Sequence, residues 1–150
     1  MTIQHIACCT DFSENANIAL DTAIELTQRY GAHLSVLHVY PSPINAALRD
    51  ADIGLMPVLS SEAMRDRIQT HLEEVYGERL ESHVNYRFEI HEGHVSTTIV
   101  DFLRNRDVDL CVMGAFGLSG MGLVLFGSVA KRVAHRAPCS VMIVRNRHQE

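Results

Sequence analysis

Tryptophan is absent from the 150 residues, and proline and cysteine occur only four times each. Cys8, Cys9, Cys111 and Cys139 sit in apolar runs and are too few for a secreted disulfide framework. CxxC, HExxH and the paired Cys/His spacings of zinc modules are also missing, which removes the usual sequence signs of a metal site. No apolar run approaches the ~20 residues of a membrane-spanning helix. The opening residues lack the basic stretch, apolar run and cleavage site of a signal peptide, so the expected compartment is the cytoplasm. Basic residues are in the minority, 13 Lys+Arg against 18 Asp+Glu, giving a formal charge of −5. That balance offers no broad surface for DNA or an anionic membrane.

What is present is apolar and patterned: 47% of the residues are hydrophobic and nine are glycine. The length predicts one domain over 1–150, able to bury roughly 70% of its unfolded surface. His5–Thr10 reads as a buried strand. Ser13 is a helix N-cap, Ala16, Ala19, Ala23, Leu26 and Tyr30 form one apolar stripe, and Gly31 supplies the stop. Leu34–Tyr40 is a second strand, closed by Pro41 and Pro43, which open an irregular segment to about Ser60, the candidate flap. Met64, Ile68, Leu72 and Val75 predict a second helix with one apolar face. From Val84 to Ile90 apolar and polar residues alternate, as in a strand wet on one side. After Gly93, Val95, Ile99 and Phe102 mark a third helix, and Val108–Met113 a fourth strand. A glycine-rich loop, a short helix with Val129 and Val133, Pro138 and the strand Ser140–Val144 complete the chain before a polar tail over 146–150.

Repeated strand–helix alternation calls for an α/β fold, a doubly wound five-stranded parallel sheet with helices on both faces. The expected order is 3-2-1-4-5, which reverses direction between strands 1 and 4. Ligands of such sheets lie beyond the carboxyl ends of the strands at that reversal. Here it falls between the loop Thr10–Ser13 and the loop Gly114–Ser128.

The second loop holds glycines at 114, 117, 120, 122 and 127, ending in Gly127-Ser128 at a helix start. Such a start presents unpaired N–H groups and a partial positive charge, so it can hold phosphate; equally, Ser128 can simply cap the helix. A Walker A loop is excluded because no Lys separates the last glycine from Ser128. A dinucleotide fingerprint is excluded because the glycines follow the fourth strand rather than the first.

Over essentially its whole length the sequence resembles the universal stress protein family. The carrying residues are Thr10-Asp11-Phe12-Ser13-Glu14, Leu37-His38-Val39, Asp109 to Gly114, Gly127-Ser128-Val129-Ala130 and Ala137-Pro138-Cys139-Ser140-Val141. The pattern G-x2-G-x9-G-[S/T] of the family's nucleotide-binding branch is met by Gly114, Gly117, Gly127 and Ser128. The resemblance implies a site for ATP, or for ADP or AMP, with Mg²⁺ or Mn²⁺ on the phosphates. By position, Asp11 and the backbone of Val39 would fix the adenine, and Cys9 and Gly114 would lie by the ribose. Gly117, Gly127, Ser128 and Val129 would hold the phosphates, and Met113 would pack under the base. Each has a plainer reading: Asp11 can start the first helix, Met113 can be core, and Cys9 and Val39 can be ordinary strand residues. Phe116 and Leu118 stand where the family commonly has histidine and a basic residue, so the loop carries no charged side chain.

That loop also lacks an acid, a glutamine or an arginine to drive hydrolysis. The expectation is an adenine-nucleotide-binding regulatory protein of the stress response with slow ATP hydrolysis at most. The alternative is a nucleotide-independent dimeric interaction module. Nucleotide transferases of this superfold carry HxGH or SGGxDS after the first strand, and neither is present. Adjacent Cys8 and Cys9 point to opposite faces of their strand, which favours core packing over redox chemistry. The last strand is apolar at Val141, Met142, Ile143 and Val144 yet lies at a sheet edge, which invites pairing with a second copy. The regulatory protein partner is left unnamed by the sequence.

Overall fold

The computed structural model describes residues 1–42, 60–117 and 127–146. All but the ends of the candidate flap over 41–60, namely residues 43–59, the loop residues Leu118, Gly120 and Gly122, and the tail from 147 lie outside the described residues. Five strands form one sheet: β1 (His5–Cys9), β2 (His33–Tyr40), β3 (Tyr86–Glu92), β4 (Leu110–Gly114) and β5 (Ser140–Val144). Their order is β3-β2-β1-β4-β5 and every pairing is parallel, as the alternating pattern demands. Among the described residues the longer helices are α1 (Glu14–Tyr30), α2 (Ser61–Leu72), α3 (Val95–Asn105) and α4 (Ser128–Arg136).

Strand alternation divides the core in two. Ile6, Cys8, Leu34, Val36, Leu110 and Val112 meet α1 and α2 on one face. Ala7, Cys9, Leu37, Val39, Cys111 and Met113 meet α3 and α4 on the other. Cys8 and Cys9 thus serve different cores. Local chemistry fixes α1 at both ends. The Ser13 side chain accepts from the Ala16 N–H, and Gly31 ends the helix in the left-handed region at φ 63°.

Two details depart from the periodicity. Val75, read as part of the apolar stripe of α2, is 42% exposed, whereas Tyr76 is fully buried. The cause is a π-helical stretch, Glu73–Gly77, that continues α2 and leads into a last turn, Glu78–Glu81. The buried positions Ile68, Leu72, Tyr76 and Leu80 recur every four residues, a spacing that a regular 3.6-residue helix would carry off the core. The wider turn keeps them in line. The second departure is Glu89, on the face of β3 read as wet. It is buried, because the carboxyl end of α3 covers it; its Oε2 lies 3.3 Å from His91 Nε2 and 3.9 Å from an Arg106 guanidinium nitrogen.

Candidate functional site

β1 and β4 are adjacent, and the chain leaves them on opposite faces: after β1 it enters α1, and after β4 the glycine loop leading to α4. The splayed loops leave a cavity of about 330 Å³ at their carboxyl ends. Its floor is Cys9, Leu37, Val39 and Met113; one wall is Thr10, Asp11 and Ala16; the opposite wall is Val95 and Ile99 of α3. Gly114, Ala115, Phe116 and Gly117 form the rim, and Gly127, Ser128, Val129 and Ala130 close the side where α4 begins. All nine residues singled out in the sequence line this one space: Cys9, Asp11, Val39, Met113, Gly114, Gly117, Gly127, Ser128 and Val129. Met113 is buried in the second core and also meets the cavity, so its two readings are compatible.

The sequence placed Thr10, Ala115 and Phe116 in the two flanking loops without giving them a role, and it missed Ala16, Leu37, Val95, Ile99 and Ala130 as lining residues. Leu37 was legible in principle, two residues before Val39 and so on the same strand face. Val95 and Ile99 were read only as a helix core stripe, which is also what they are.

The loop after β1 is tightly organised. Thr10 N–H continues the sheet by donating to Leu37 O at 2.9 Å. The Asp11 carboxylate accepts from the Ser13 N–H at 3.0 Å, an Asx turn that enters α1. Phe12 adopts φ 65°, an uncommon conformation for a large side chain, and its ring lies against His38, His71 and Tyr76. Behind the loop, His38 Nδ1–H donates to Thr10 O at 2.8 Å. Burial holds the His38 pKa below the usual imidazole value, although that hydrogen bond opposes the shift. Asp11 is the only carboxylate lining the cavity among the described residues, and no Lys or Arg joins it.

The glycines are there for proximity. A β-carbon on Gly114 would sit 2.9 Å from backbone of Asn15 in α1, and one on Gly117 would sit 2.5 Å from Asp11 Oδ2. Asp11, assigned by position to the far end of a ligand from the phosphate loop, is therefore a neighbour of Gly117, since both loops leave adjacent strands. Gly127, not Ser128, is the N-cap of α4, with extended backbone at φ −64° and ψ 160°. Ser128 is the first helical residue and exposes its side chain at the cavity. The Gly127 N–H donates to Ala115 O at 2.7 Å, which ties the two ends of the loop together. The N–H groups of Ser128, Val129 and Ala130 have no acceptor within their own helix, as in any first turn.

Among the described residues no group of three His, Cys, Asp or Glu side chains could hold a metal ion. The side-chain oxygens offered to the cavity are the Asp11 carboxylate and the Ser128 hydroxyl, the Thr10 hydroxyl being engaged with Tyr76 and the Phe12 N–H, so a divalent cation fits only as a companion of bound phosphate. No helix of the described residues is long and apolar enough to cross a membrane.

An open parallel sheet with a cavity at its direction reversal and a helix N-terminus in the cavity wall defines a class of ligand-binding α/β domains. Within that class, the sequence profile described as "Universal stress protein family" matches residues 2–145. A universal stress protein of Synechocystis sp. is 31% identical over 155 aligned positions, covering 94% of this chain and 97% of the relative. The chain belongs to the universal stress protein family. Among solved structures, the universal stress protein UspA of Lactobacillus plantarum superposes with a TM-score of 0.76 at 26% identity, covering 97% of this chain and 99% of that one. A universal stress protein solved in complex with cAMP matches at TM-score 0.71 and 24% identity over 100% of both chains. One from Archaeoglobus fulgidus in complex with dAMP matches at 0.65 and 21%, covering 95% of this chain and 98% of that one. The last two show a shared fold.

Proposed function

We propose that the chain is an adenine-nucleotide-binding regulatory protein of the stress response, with the nucleotide held at the β1/β4 reversal. The observation that carries this reading is the convergence of all nine candidate site residues on one cavity beside the N-terminus of α4. That two relatives of the same fold were solved with cAMP and dAMP supports an adenine ligand. In this reading the Asp11 carboxylate turns away from Gly117 to meet the base with the Val39 backbone, and Cys9 and Gly114 flank the ribose. Met113 packs beneath the base. The Gly117 backbone, the Ser128 and Val129 N–H groups and the Ser128 hydroxyl meet phosphate, while Gly127 shapes the turn because its own N–H is engaged by Ala115.

The charge pattern favours few phosphates. The described lining holds one carboxylate and no cation, and residues 118–126 contain no charged side chain. Lys131 and Arg132 stand exposed one turn further along α4. A second charged group at ~4 Å contributes about 1–4 kcal/mol between water and surface-like dielectric, so each uncompensated phosphate weakens binding measurably. AMP and cyclic AMP therefore bind more tightly than ATP without metal, and Mg²⁺ or Mn²⁺ narrows the gap by neutralising the β- and γ-phosphates. With no acid or glutamine in the glycine loop, hydrolysis is slow at most.

Calorimetric titration of nucleotide-free protein with AMP, cAMP, ADP and ATP, with and without Mg²⁺, tests the reading. Saturable heats in the order AMP or cAMP before ATP support it; flat titrations with every nucleotide overturn it.

A second reading, a nucleotide-independent dimeric interaction module, is favoured by the β5 edge, where Met142 is 38% exposed beside Val141, Ile143 and Val144. Homodimerisation through this strand is compatible with both readings. Ile143→Pro removes a backbone donor from the edge and lowers the mass found by light scattering to that of a monomer, whereas an unchanged dimer rejects this interface. A bulky residue at Gly127 separates the readings, since only a nucleotide-dependent function is lost.

A further inference from the structure

The π-helical stretch in α2 places one side chain where a regular helix would not. Tyr76 is fully buried, and its hydroxyl reaches the loop after β1, lying 2.7 Å from Thr10 Oγ1 and 2.8 Å from Asn17 Oδ1. The donors can be assigned around this group. The Phe12 N–H donates to Thr10 Oγ1 at 3.0 Å, and Tyr76 gives its single proton to Asn17 Oδ1. Thr10 must then donate its own proton to the Tyr76 oxygen. The chain runs from the Phe12 backbone through Thr10 and Tyr76 to Asn17 of α1, and it closes over the one non-glycine residue in the loop with positive φ.

Thr10 and Asp11 are the cavity wall, while Tyr76 lies on the opposite face of the sheet and is not among the lining residues. We propose that Tyr76 is a positioning residue for the binding cavity: its hydroxyl, delivered by the π turn, holds the Thr10–Phe12 loop in the conformation that presents Asp11. Its link to ligand rests on the adenine-nucleotide reading; its effect on the loop does not. Tyr76→Phe keeps the ring and removes only the bond to the loop.

Two measurements on Tyr76→Phe test this. The first is amide hydrogen exchange in nucleotide-free protein. The expected result is exchange at Phe12 and Ser13 accelerated at least roughly tenfold, with the β1 and β4 amides unchanged, because local opening is separable from global unfolding. Uniform acceleration across the sheet, or no change at Phe12 and Ser13, overturns the proposal. The second is AMP affinity, expected to fall roughly tenfold from loss of loop order. Tyr40→Phe is the control, since Tyr40 is also buried and its hydroxyl bonds Ser61 O at the other end of α2 at 3.3 Å. It should leave AMP affinity within about twofold of the unaltered protein; an equal loss in both variants means that docking of α2, not the loop bond, is responsible, and overturns the proposal. If the unaltered protein binds no nucleotide, the adenine reading fails, and the exchange result still decides the role of Tyr76.

Discussion

Replacing Gly114 with alanine measures how closely β4 approaches α1 beside the cavity. The new β-carbon would lie 2.9 Å from both the carbonyl carbon and Cβ of Asn15 and 3.0 Å from its carbonyl oxygen. Favourable carbon contacts begin near ~3.5 Å, so the shortfall is about half an ångström. The obstacle is helix backbone in the first turn of α1, which cannot rotate aside as a side chain can. Overpacking of this kind costs about 1–3 kcal/mol. For a chain of this size that corresponds to a fall in Tm of roughly 3–10 °C. Gly117→Ala is the contrasting case. Among the described residues its β-carbon would meet the Asp11 carboxylate alone, with Oδ2 at 2.5 Å, and the carboxylate can turn away at the expense of its bond to Ser13 N–H. That loss is worth about 0.5–1.5 kcal/mol, so Gly117→Ala is the milder change in stability. On the proposed function, displacing Asp11 should also lower AMP affinity in a titration. Urea unfolding monitored by circular dichroism, with equal m-values required, supplies both stability differences. Gly114→Ala unfolding at the unaltered midpoint, or Gly117→Ala proving the more destabilised of the two, refutes this account of the glycines.

Acid should destabilise the fold in a defined window. Burial lowers the pKa of both His5 and His38 from 6.5. The unfolded chain therefore takes up protons that the native state refuses, and stability falls as pH drops below about 6.5 through the lowered native values. Asp109, whose carboxylate accepts from the Gln4 and His5 N–H groups, is shifted below 3.8, so its contribution persists until the pH falls past that value. A urea midpoint that is flat from pH 7 to 5 would contradict the histidine assignment. Thiol chemistry should follow burial: Cys139, half-buried, is alkylated first, while Cys8 and Cys111, both fully buried and with pKa raised, react only on unfolding. Mass spectrometry of partially labelled native protein checks the order, and early labelling of Cys8 would show that the α1 face of the sheet opens.

Much of this architecture is written in local spacing. Ser13 and Gly31 delimit α1 because a cap and a left-handed stop are properties of single residues. The sheet order follows from strand–helix alternation and handedness, and the β1/β4 reversal by itself locates the cavity. What stayed hidden is relational. A 3.6-residue repeat puts Val75 rather than Tyr76 on the apolar stripe, and it does not announce the π turn that carries Tyr76 inward, where its hydroxyl meets Thr10. Glu89 read as solvent-facing because alternation cannot foresee that the end of α3 will cover it. The closeness of Asp11 to Gly117 is likewise a product of the β1–β4 register, which links residues more than a hundred positions apart.

The central claim is that one cavity at the β1/β4 reversal binds an adenine nucleotide through residues from both loops. Its most direct test is a titration of isotopically labelled protein with AMP, followed by amide chemical shifts. The account predicts saturable shifts concentrated at Asp11, Val39, Gly117, Ser128 and Val129. Shifts confined to other surfaces, or none at millimolar AMP, would contradict it.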